Sequence, residues 1–285
     1  MRVLLFGASG FIGKNVHAAL TAAGAEVLPA GRRGPIIHDL VVDGPARLAS
    51  LLAAHRPDAV VNCAGLLSGS TAELVEANVT AVARLIDACS FLGTRLVTLG
   101  SAAEYGVVPH GVPVAEDAPC RPVGGYGVTR LAATELVRLA VADNRLDGAV
   151  LRVFNPLGPG LPADNVLGRA LRQLHSGVVR LGPLGAHRDF VDGRDVGSAI
   201  AAATLAPQLP ETVLNVGSGT AVATREAVRM LCAAAGFTGE LIEGEQAPGR
   251  SAGVEWIAAD LTLITRTLGW RPAYDLEAAV KELLL

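Results

Sequence analysis

The segment Val3-Leu-Leu-Phe-Gly-Ala-Ser-Gly-Phe-Ile-Gly13 joins a short apolar run to three glycines spaced three residues apart. The apolar run predicts a buried β-strand, and the residues that follow have the period of a helix. Glycine in such a turn lets the backbone approach a pyrophosphate, and the N-terminus of the helix stabilises phosphate charge. Strand, glycine-rich turn and helix in this order predict a dinucleotide site. We expect this site to include Gly7, Ser9, Gly10, Phe11, Ile12 and Gly13.

Apolar strands and helical segments alternate along the first half of the chain. We expect strands at 3–6, 26–30, 59–62, 95–99 and 149–153, and helices at 12–23, 46–55, 72–91 and 126–143. Such alternation, with nearly continuous apolar strands, predicts an α/β fold with a Rossmann-type doubly wound parallel sheet. Ligands of such a sheet bind at the carboxyl ends of its strands.

The pattern changes after Val153, where residues 155–162 are rich in glycine and proline and short helices mix with turns. This change predicts a smaller, discontinuous C-terminal domain on the substrate side. Residues 1–155 and about 188–206 are predicted to form the dinucleotide-binding domain, with 192–206 returning to pack on the sheet. Residues 156–187 and 207–285 are predicted to form the substrate domain.

Composition excludes several functional classes. The chain has 285 residues, 51% of them hydrophobic and 18% charged, and a formal net charge of −3, so neither nucleic acid nor an anionic membrane is an expected partner. The four cysteines form no CxxC motif and the six histidines have no ligand spacing, so we expect no metal site. No apolar stretch reaches the roughly 20 residues of a membrane helix, and we expect a cytoplasmic protein.

The end of the second strand bears on the choice of cofactor. Residues 30–33 read Ala-Gly-Arg-Arg, with no acidic residue to bind the ribose 2′-hydroxyl of NAD. Arg32 and Arg33 suit the 2′-phosphate of NADP, because a guanidinium pairs well with phosphate oxygens. NADP (as NADPH) is therefore the predicted cofactor. NAD remains the alternative if both arginines are solvated charges of a turn.

Three residues near the predicted nicotinamide end are candidates for catalysis. Ser101 follows the fourth strand, Tyr126 opens the next long helix, and Arg130 lies four residues later on the same helical face. An adjacent cation favours the phenolate and so makes a tyrosine a better proton shuttle at neutral pH. Ser101 could hydrogen-bond a carbonyl oxygen while Tyr126 transfers its proton.

The sequence resembles the extended short-chain dehydrogenase/reductases of the NAD-dependent epimerase/dehydratase family, which modify nucleotide sugars. The motifs that carry the resemblance are GASGFIG at 7–13, HRPDAVVNCAG at 55–65, LGSAAEYG at 99–106, YGVTR at 126–130, RVFNPLGPG at 152–160, HRDFVDGRDV at 187–196 and LGWRP at 268–272. The resemblance identifies Ser101 and Tyr126 with the catalytic serine and tyrosine. It further implies that Asp39, Leu40, Ala64 and Gly65 contact the adenosine side of the cofactor, and that Asn78 matches a helix asparagine.

The resemblance also implies residues that bind the substrate. Asn155 and Arg188, and with them Arg250, would contact the diphosphate of a nucleotide sugar. A structural pair of Arg188 with Asp189 or Asp192 is the alternative. The family's lysine in YxxxK, which binds the nicotinamide ribose, is Arg130 here, and arginine has a different shape and reach.

The range of possible reactions is limited by residues that the motifs lack. Dehydratases of the family carry an Asp-Glu pair where this chain has Ala102 and Ala103, so a dehydratase is not expected. The overall pattern is similar to the reductases that act on GDP-4-keto-6-deoxymannose, which implies 4-ketoreduction of a nucleotide 4-keto-6-deoxyhexose in deoxysugar biosynthesis. The alternatives are an epimerase with retained NAD and a non-catalytic NADP-binding protein. The resemblance also implies a homodimer that pairs the helices at 72–91 and 126–143.

Overall fold

The computed structural model describes residues 1–244 and 253–285. Its strands are β1 (Arg2–Phe6), β2 (Glu26–Gly31), β3 (Ile36–Ile37), β4 (Ala59–Asn62), β5 (Arg95–Ser101), β6 (Gly148–Val153), β7 (Asn155–Leu157), β8 (Val178–Leu181), β9 (His187–Asp192), β10 (Val213–Val216), β11 (Ala221–Ala223) and β12 (Glu240–Glu243). Its helices are α1 (Phe11–Ala22), α2 (Pro45–His55), α3 (Thr71–Val75), α4 (Ala81–Leu92), α5 (Gly125–Ala142), α6 (Val166–Gln173), α7 (Gly193–Leu205), α8 (Thr224–Ala234), α9 (Thr262–Leu268) and α10 (Leu276–Glu282).

Seven strands form one parallel sheet in the order β10-β6-β5-β4-β1-β2-β3. Strands β2 and β3 lie on one side of β1, and β4, β5, β6 and β10 lie on the other. The order in which strands are added therefore reverses between β1 and β4, which opens a crevice at their carboxyl ends. The predicted Rossmann-type fold is therefore confirmed. All five predicted strands are present, and the sheet gains β3 and β10, which were not predicted.

The two faces of the sheet bury alternate residues, as the period of a strand requires. Val3 and Leu5 face α1, α7 and α9, whereas Leu4 and Phe6 face α2, α4 and α5. Both faces of the central strands are thus covered by helices. This double burial explains why the central strands appear in the sequence as continuous apolar runs.

The helix predicted at 72–91 contains a change of pitch. Helix α3 passes into a π-helical turn at Glu76–Thr80, and α4 follows. Hydrophobic periodicity cannot show such a turn, because one wider turn shifts the pattern by a single residue. The turn carries Asn78, which is completely buried, and π turns are frequent at functional sites.

The C-terminal part forms a separate apolar cluster in which α6, α8 and α10 pack around β8 and β9. Two smaller sheets accompany it, β11-β9-β7 and β12-β8. Helix α7 packs on α1 and on the large sheet. The division into two domains stays a prediction, but β10 and α9 lie in residues allotted to the substrate domain and pack with the large sheet instead. Strand β10 joins it because α7 serves as one more crossover between parallel strands.

Within residues 1–244 and 253–285, no helix has both the length and the apolar character that a membrane crossing requires.

Candidate active site

A cavity of about 1160 Å³ lies at the carboxyl ends of the parallel strands. Its inner end is formed by the start of α1, the ends of β5 and β6, and the start of α5. Its outer end is formed by α6, the approach to β9 and residues 253–257. The cavity therefore joins the region of the glycine-rich turn to the C-terminal part of the chain.

The glycine-rich turn has no room for side chains at two of its glycines. Gly7 has a φ of +75°, and a Cβ atom there would lie 2.7 Å from the backbone nitrogen of Ala64. A Cβ atom on Gly13 would lie 2.0 Å from the carbonyl oxygen of Gly7, so helix α1 packs directly on the turn. Gly10 precedes α1, and no described side chain caps the helix there. Free backbone N–H groups in a close-packed turn fit the pyrophosphate of a dinucleotide.

Of the residues predicted for the adenosine side, Gly65 lines the cavity, whereas Asp39, Leu40 and Ala64 lie outside it, around the ends of β3 and β4. Arg32 and Arg33 are exposed and form no ion pair with any residue in the described parts of the chain. The Asp39 carboxylate accepts hydrogen bonds from the N–H groups of the second and third residues after it, at 2.9 and 3.3 Å, and Leu40 is buried. Ala64 donates its N–H to the Asn62 side chain at 3.0 Å.

Asn78 ties the loop after β4 to helix α5. Its side-chain oxygen accepts a hydrogen bond from the N–H of Leu66 at 2.9 Å, and its amide donates to the Leu66 carbonyl at 2.9 Å and to Thr129 Oγ1 at 3.1 Å. These three bonds leave Asn78 a positioning role, and it does not line the cavity. The loop that it holds contains Gly65, which does line the cavity.

Ser101 ends β5 and lines the inner end of the cavity. The turn that follows is closed by a reciprocal pair of hydrogen bonds. Ser101 Oγ accepts the N–H of Ala103 at 3.2 Å, and Glu104 Oε1 accepts the N–H of Ser101 at 2.8 Å. The same turn carries Ala102 and Ala103 along the cavity wall, and neither residue can transfer a proton.

Glu104 is a residue that the sequence reasoning missed. It is completely buried, and its second carboxylate oxygen accepts a hydrogen bond from Arg152 Nε at 2.8 Å. Arg152 also donates to the Tyr105 hydroxyl at 3.0 Å, and that hydroxyl donates to Asn215 at 2.7 Å. Burial raises the pKa of Tyr105 above its usual range. Tyr105 is therefore a structural phenol, distinct from Tyr126. The sequence signal for Glu104 is the S-x-x-E pattern of a capping box.

Tyr126 and Arg130 lie one helical turn apart at the start of α5, and both line the cavity. The Arg130 guanidinium carbon lies 5.5 Å from the centre of the Tyr126 ring, so a cation stands beside the phenol. Arg130 is 5% exposed and donates through Nη1 to the Leu99 carbonyl at 3.2 Å. Its Nε has no hydrogen-bond partner among the residues that the structure describes. An unpaired buried donor beside Gly65 in the cavity fits a site that a bound dinucleotide completes.

Cys63 lines the cavity close to these groups. Burial raises the pKa of its thiol to about 12, although the charge of Arg130 acts in the opposite direction. The inner end of the cavity therefore penalises a charge that lacks a partner.

The outer end holds Asn155 and Arg188. Asn155 donates its side-chain amide to the Asp189 carbonyl at 3.3 Å. Arg188 donates to the carbonyls of His187 and Val254, each at 2.8 Å, and burial lowers the pKa of its guanidinium. The alternative pair of Arg188 with an aspartate is absent from the described residues. Asp189 instead accepts N–H and O–H groups from Ser218, Gly219 and Ala259, and Asp192 pairs with Arg194.

The predicted diphosphate residue Arg250 lies outside the described residues. Two groups that sequence reasoning missed also line the outer end. Arg169 donates to the carbonyl of Asp164 at 2.9 Å. The imidazole of His110 lies 5.9 Å from that of His187 and 5.8 Å from the Trp256 ring, measured between ring centres. The ring contacts of His110 join segments far apart in sequence, so no local pattern indicates them.

Comparison with known proteins points to the family that the sequence motifs resemble. Residues 3–217 match the family model described as the NAD dependent epimerase/dehydratase family. A dTDP-6-deoxy-L-talose 4-dehydrogenase (NAD(P)(+)) from Kitasatospora kifunensis is 38% identical over 99% of this chain and 94% of its own length. A GDP-6-deoxy-D-mannose reductase from Pseudomonas aeruginosa is 29% identical over 99% of this chain and 96% of its own. A UDP-glucose 4-epimerase from Azospirillum brasilense is 30% identical over 96% and 88%.

Solved structures agree with these relatives along the whole chain. RMD from Pseudomonas aeruginosa in complex with NADPH superimposes with a TM-score of 0.87 at 26% identity, covering 99% of this chain and 97% of that one. MoeE5 in complex with UDP-glucuronic acid and NAD gives a TM-score of 0.88 at 28% identity, with 100% and 98% covered.

Proposed function

Because this chain belongs to the NAD-dependent epimerase/dehydratase family, we propose that it reduces the C4 ketone of a nucleotide-linked 4-keto-6-deoxyhexose with NADPH. Membership of the family, and with it NAD(P)-dependent chemistry on nucleotide sugars, is as the sequence predicted. The substrate, the direction of the reaction and the roles of single residues belong to the proposal.

One observation carries the proposal. Ser101 and Tyr126 line the same end of one cavity, Arg130 stands behind the phenol, and the adjacent Ala102 and Ala103 offer no group for a dehydration. A 4-dehydrogenase and a 4-ketoreductase perform the same reaction in opposite directions. The names of the dTDP-6-deoxy-L-talose and GDP-6-deoxy-D-mannose enzymes therefore support chemistry at one carbon of a 6-deoxyhexose.

The overall reaction is ketone plus NADPH plus one proton, giving alcohol plus NADP⁺. Bound NADPH supplies the hydride. Tyr126 donates its phenolic proton to the carbonyl oxygen as that oxygen becomes an alkoxide, and takes another from solvent afterwards. Ser101 Oγ donates a hydrogen bond to the same oxygen and stabilises its developing charge. The Arg130 guanidinium carbon lies 5.5 Å from the centre of the Tyr126 ring, where its charge would offset the negative charge left on Tyr126 until the new proton arrives.

Different residues of the chain would bind the cofactor and the nucleotide sugar. The turn at Gly7, Gly10 and Gly13 would hold the cofactor pyrophosphate, and Arg130 the nicotinamide ribose. Arg188 and Asn155 at the outer end would hold the diphosphate of the nucleotide sugar. Arg188 suits this role because its charge is half-buried and its described hydrogen bonds go only to main-chain carbonyls.

The preference for NADPH is proposed from Arg32 and Arg33. Both are exposed beyond the end of β2, where an NAD site would carry an acid. Replacing both with alanine is expected to weaken NADPH binding about tenfold or more and to leave NADH binding nearly unchanged. Equal losses for the two cofactors in a fluorescence titration would assign the arginines another role.

A UDP-glucose 4-epimerase at 30% identity makes epimerisation the second candidate. An epimerase returns the hydride to the same sugar and so keeps its NAD. The purified protein would then carry stoichiometric dinucleotide and produce no net change in nicotinamide absorbance. A homodimer formed through α4 and α5 is proposed with either activity, and light scattering checks it.

The first experiment follows nicotinamide absorbance with NADPH and then NADH against dTDP-, GDP- and UDP-linked 4-keto-6-deoxyhexoses. Turnover with NADPH on one substrate is the expected result. Absorbance that stays constant across the panel, together with exchange between C4 epimers detected by NMR, would replace the reductase with the epimerase. Cofactor binding with neither result would favour a non-catalytic NADP-binding protein.

A further inference from the structure

We propose that Gly65 and Arg130 act as a matched pair, in which the absence of a side chain at 65 makes arginine usable as the ribose-binding cation. The proposal rests on the cofactor site proposed above, and it does not depend on which sugar is the substrate. It assigns Gly65 a specific task, which is to leave the space that one guanidinium nitrogen fills.

The space at Gly65 is occupied by the end of the Arg130 side chain. A Cβ atom built on Gly65 would lie 2.2 Å from Arg130 Nη2 and 3.0 Å from its Cζ. Gly65 is absent from the residues with positive φ, so its backbone would accept alanine without strain. The requirement for glycine therefore comes from the neighbouring side chain and not from the main chain.

The neighbours decide which atom would move if a methyl group were added. The third atom close to that Cβ is Asn78 Oδ1, at 3.0 Å. Asn78 is fixed by three hydrogen bonds to Leu66 and Thr129. Among the described residues, the tip of Arg130 makes a single hydrogen bond, to the Leu99 carbonyl. The guanidinium would therefore shift, and with it the donor that Arg130 presents beside Gly65 in the cavity.

A lysine at 130 would fit the same place differently. Its side chain ends at about the position of the guanidinium carbon and has no atom at the position of Nη2. A methyl group at 65 would then face an end atom near 3.0 Å, which a small rotation relieves. Alanine at 65 is thus expected to impair the protein with Arg130 and to be tolerated with lysine there.

The test is a double-mutant cycle of the full-length protein with Gly65→Ala, Arg130→Lys and both together. The readouts are the Kd for NADPH, from fluorescence titration without sugar, and the Tm without cofactor. Gly65→Ala is expected to weaken NADPH binding about ten- to hundredfold, the loss of one hydrogen bond to a charged donor. The double variant should bind NADPH no more weakly than Arg130→Lys alone. Such non-additivity marks residues in direct contact.

Gly44→Ala is the matched control, because a Cβ atom at Gly44 would meet nothing within 4 Å and its φ is −71°. It should leave the Kd unchanged. If Gly65→Ala lowers the Tm, Arg130→Lys must restore it, so a folding defect also tests the pair. Additive losses in both Kd and Tm would overturn the proposal. Failure of every sugar to react would instead refute the ketoreductase and leave this cycle unaffected.

Discussion

The two ends of the cavity differ in how their charged side chains are satisfied. At the inner end, Glu104 and Arg152 form a buried ion pair that supports the turn of Ser101. At the outer end, the guanidinium groups of Arg169 and Arg188 donate only to main-chain carbonyls in the described residues. The inner end is therefore assembled before any ligand arrives, whereas the outer end keeps its positive charge available.

This difference separates reaction from recognition. Catalytic groups must be held in place in advance, because their value depends on fixed geometry and a low dielectric. A diphosphate supplies its own charge, and cations with no acidic partner can pair with it at full strength. Arg130 is the exception at the inner end, since its Nε has no described partner. That exception fits a cation that a cofactor completes.

The largest expected effect is on turnover at the inner end. Tyr126→Phe removes the proton donor and should lower kcat about 10²- to 10⁴-fold, the usual contribution of general acid–base catalysis, with little change in Kd for NADPH. The assay is nicotinamide absorbance under saturating substrate.

Tyr105→Phe removes the same atom from the buried network with Asn215 and Arg152, and it is the matched control. Loss of the Tyr105 hydroxyl should appear mainly as a lower Tm. If Tyr126→Phe kept most of the turnover, the proton would come from another group and the proposed reaction at the inner end would be wrong.

The next largest effect is expected on the free energy of unfolding. Glu104→Ala leaves the Arg152 charge buried without its partner, which should lower the free energy of unfolding by about 3–5 kcal/mol. Glu104→Gln keeps an acceptor for the Ser101 N–H and should cost less. Urea unfolding followed by circular dichroism measures both.

The chain supplies a matched control with the same motif. Ser70 and Glu73 form a capping box of the same S-x-x-E pattern, but Glu73 is exposed. Glu73→Ala should lower the free energy of unfolding much less than Glu104→Ala, because Glu73 is exposed and has no buried charge as a partner. Equal losses at Glu73 and Glu104 would mean that the inner ion pair contributes nothing beyond the cap.

The sequence predicted the elements whose signals are local. The glycine-rich turn with its strand and helix, the alternation of β2, β4, β5 and β6 with helices, and the start of α5 all lie close to their predicted bounds. Each depends on a periodicity or a turn that a single segment contains. The short strands β3, β7 and β11 carry no such signal, because two or three residues acquire their conformation from tertiary pairing.

The residues of the candidate site also fall into those that the sequence predicted and those that it did not. Ser101, Tyr126 and Arg130 were readable because they stand at fixed distances within motifs, although their roles stay predictions. The burial of Glu104 and the contact between Gly65 and Arg130 were not readable. Both depend on packing between segments about 50 and 65 residues apart, as between the turn after β5 and strand β6 for Glu104 and Arg152.

A smaller effect is expected at the outer end. Arg188→Ala should weaken binding of a nucleoside diphosphate about ten- to hundredfold and leave the Kd for NADPH unchanged, because the charge acts on the substrate only. Isothermal titration with dTDP, UDP and GDP measures it. Arg172→Ala, an exposed position on α6 outside the cavity lining, is the control. Equal weakening of both ligands by Arg188→Ala would break the separation of the two ends.

The last prediction is that the Cys63 thiol does not react with an alkylating reagent. Burial raises the pKa of Cys63 to about 12, so only about one thiol in 10⁴ is ionised at pH 8, and the thiolate is the reactive form. Iodoacetamide should therefore leave Cys63 unmodified between pH 7 and 9, although the residue lines the cavity. It should modify Cys120 and Cys232 first, because burial raises the pKa of those two thiols to a smaller extent. Peptide mass spectrometry gives the order, and guanidinium should make all four cysteines reactive. Rapid labelling of native Cys63 would show that the inner end tolerates an unpaired charge. The contrast with the outer end would then rest on the ion pair of Glu104 and Arg152 alone.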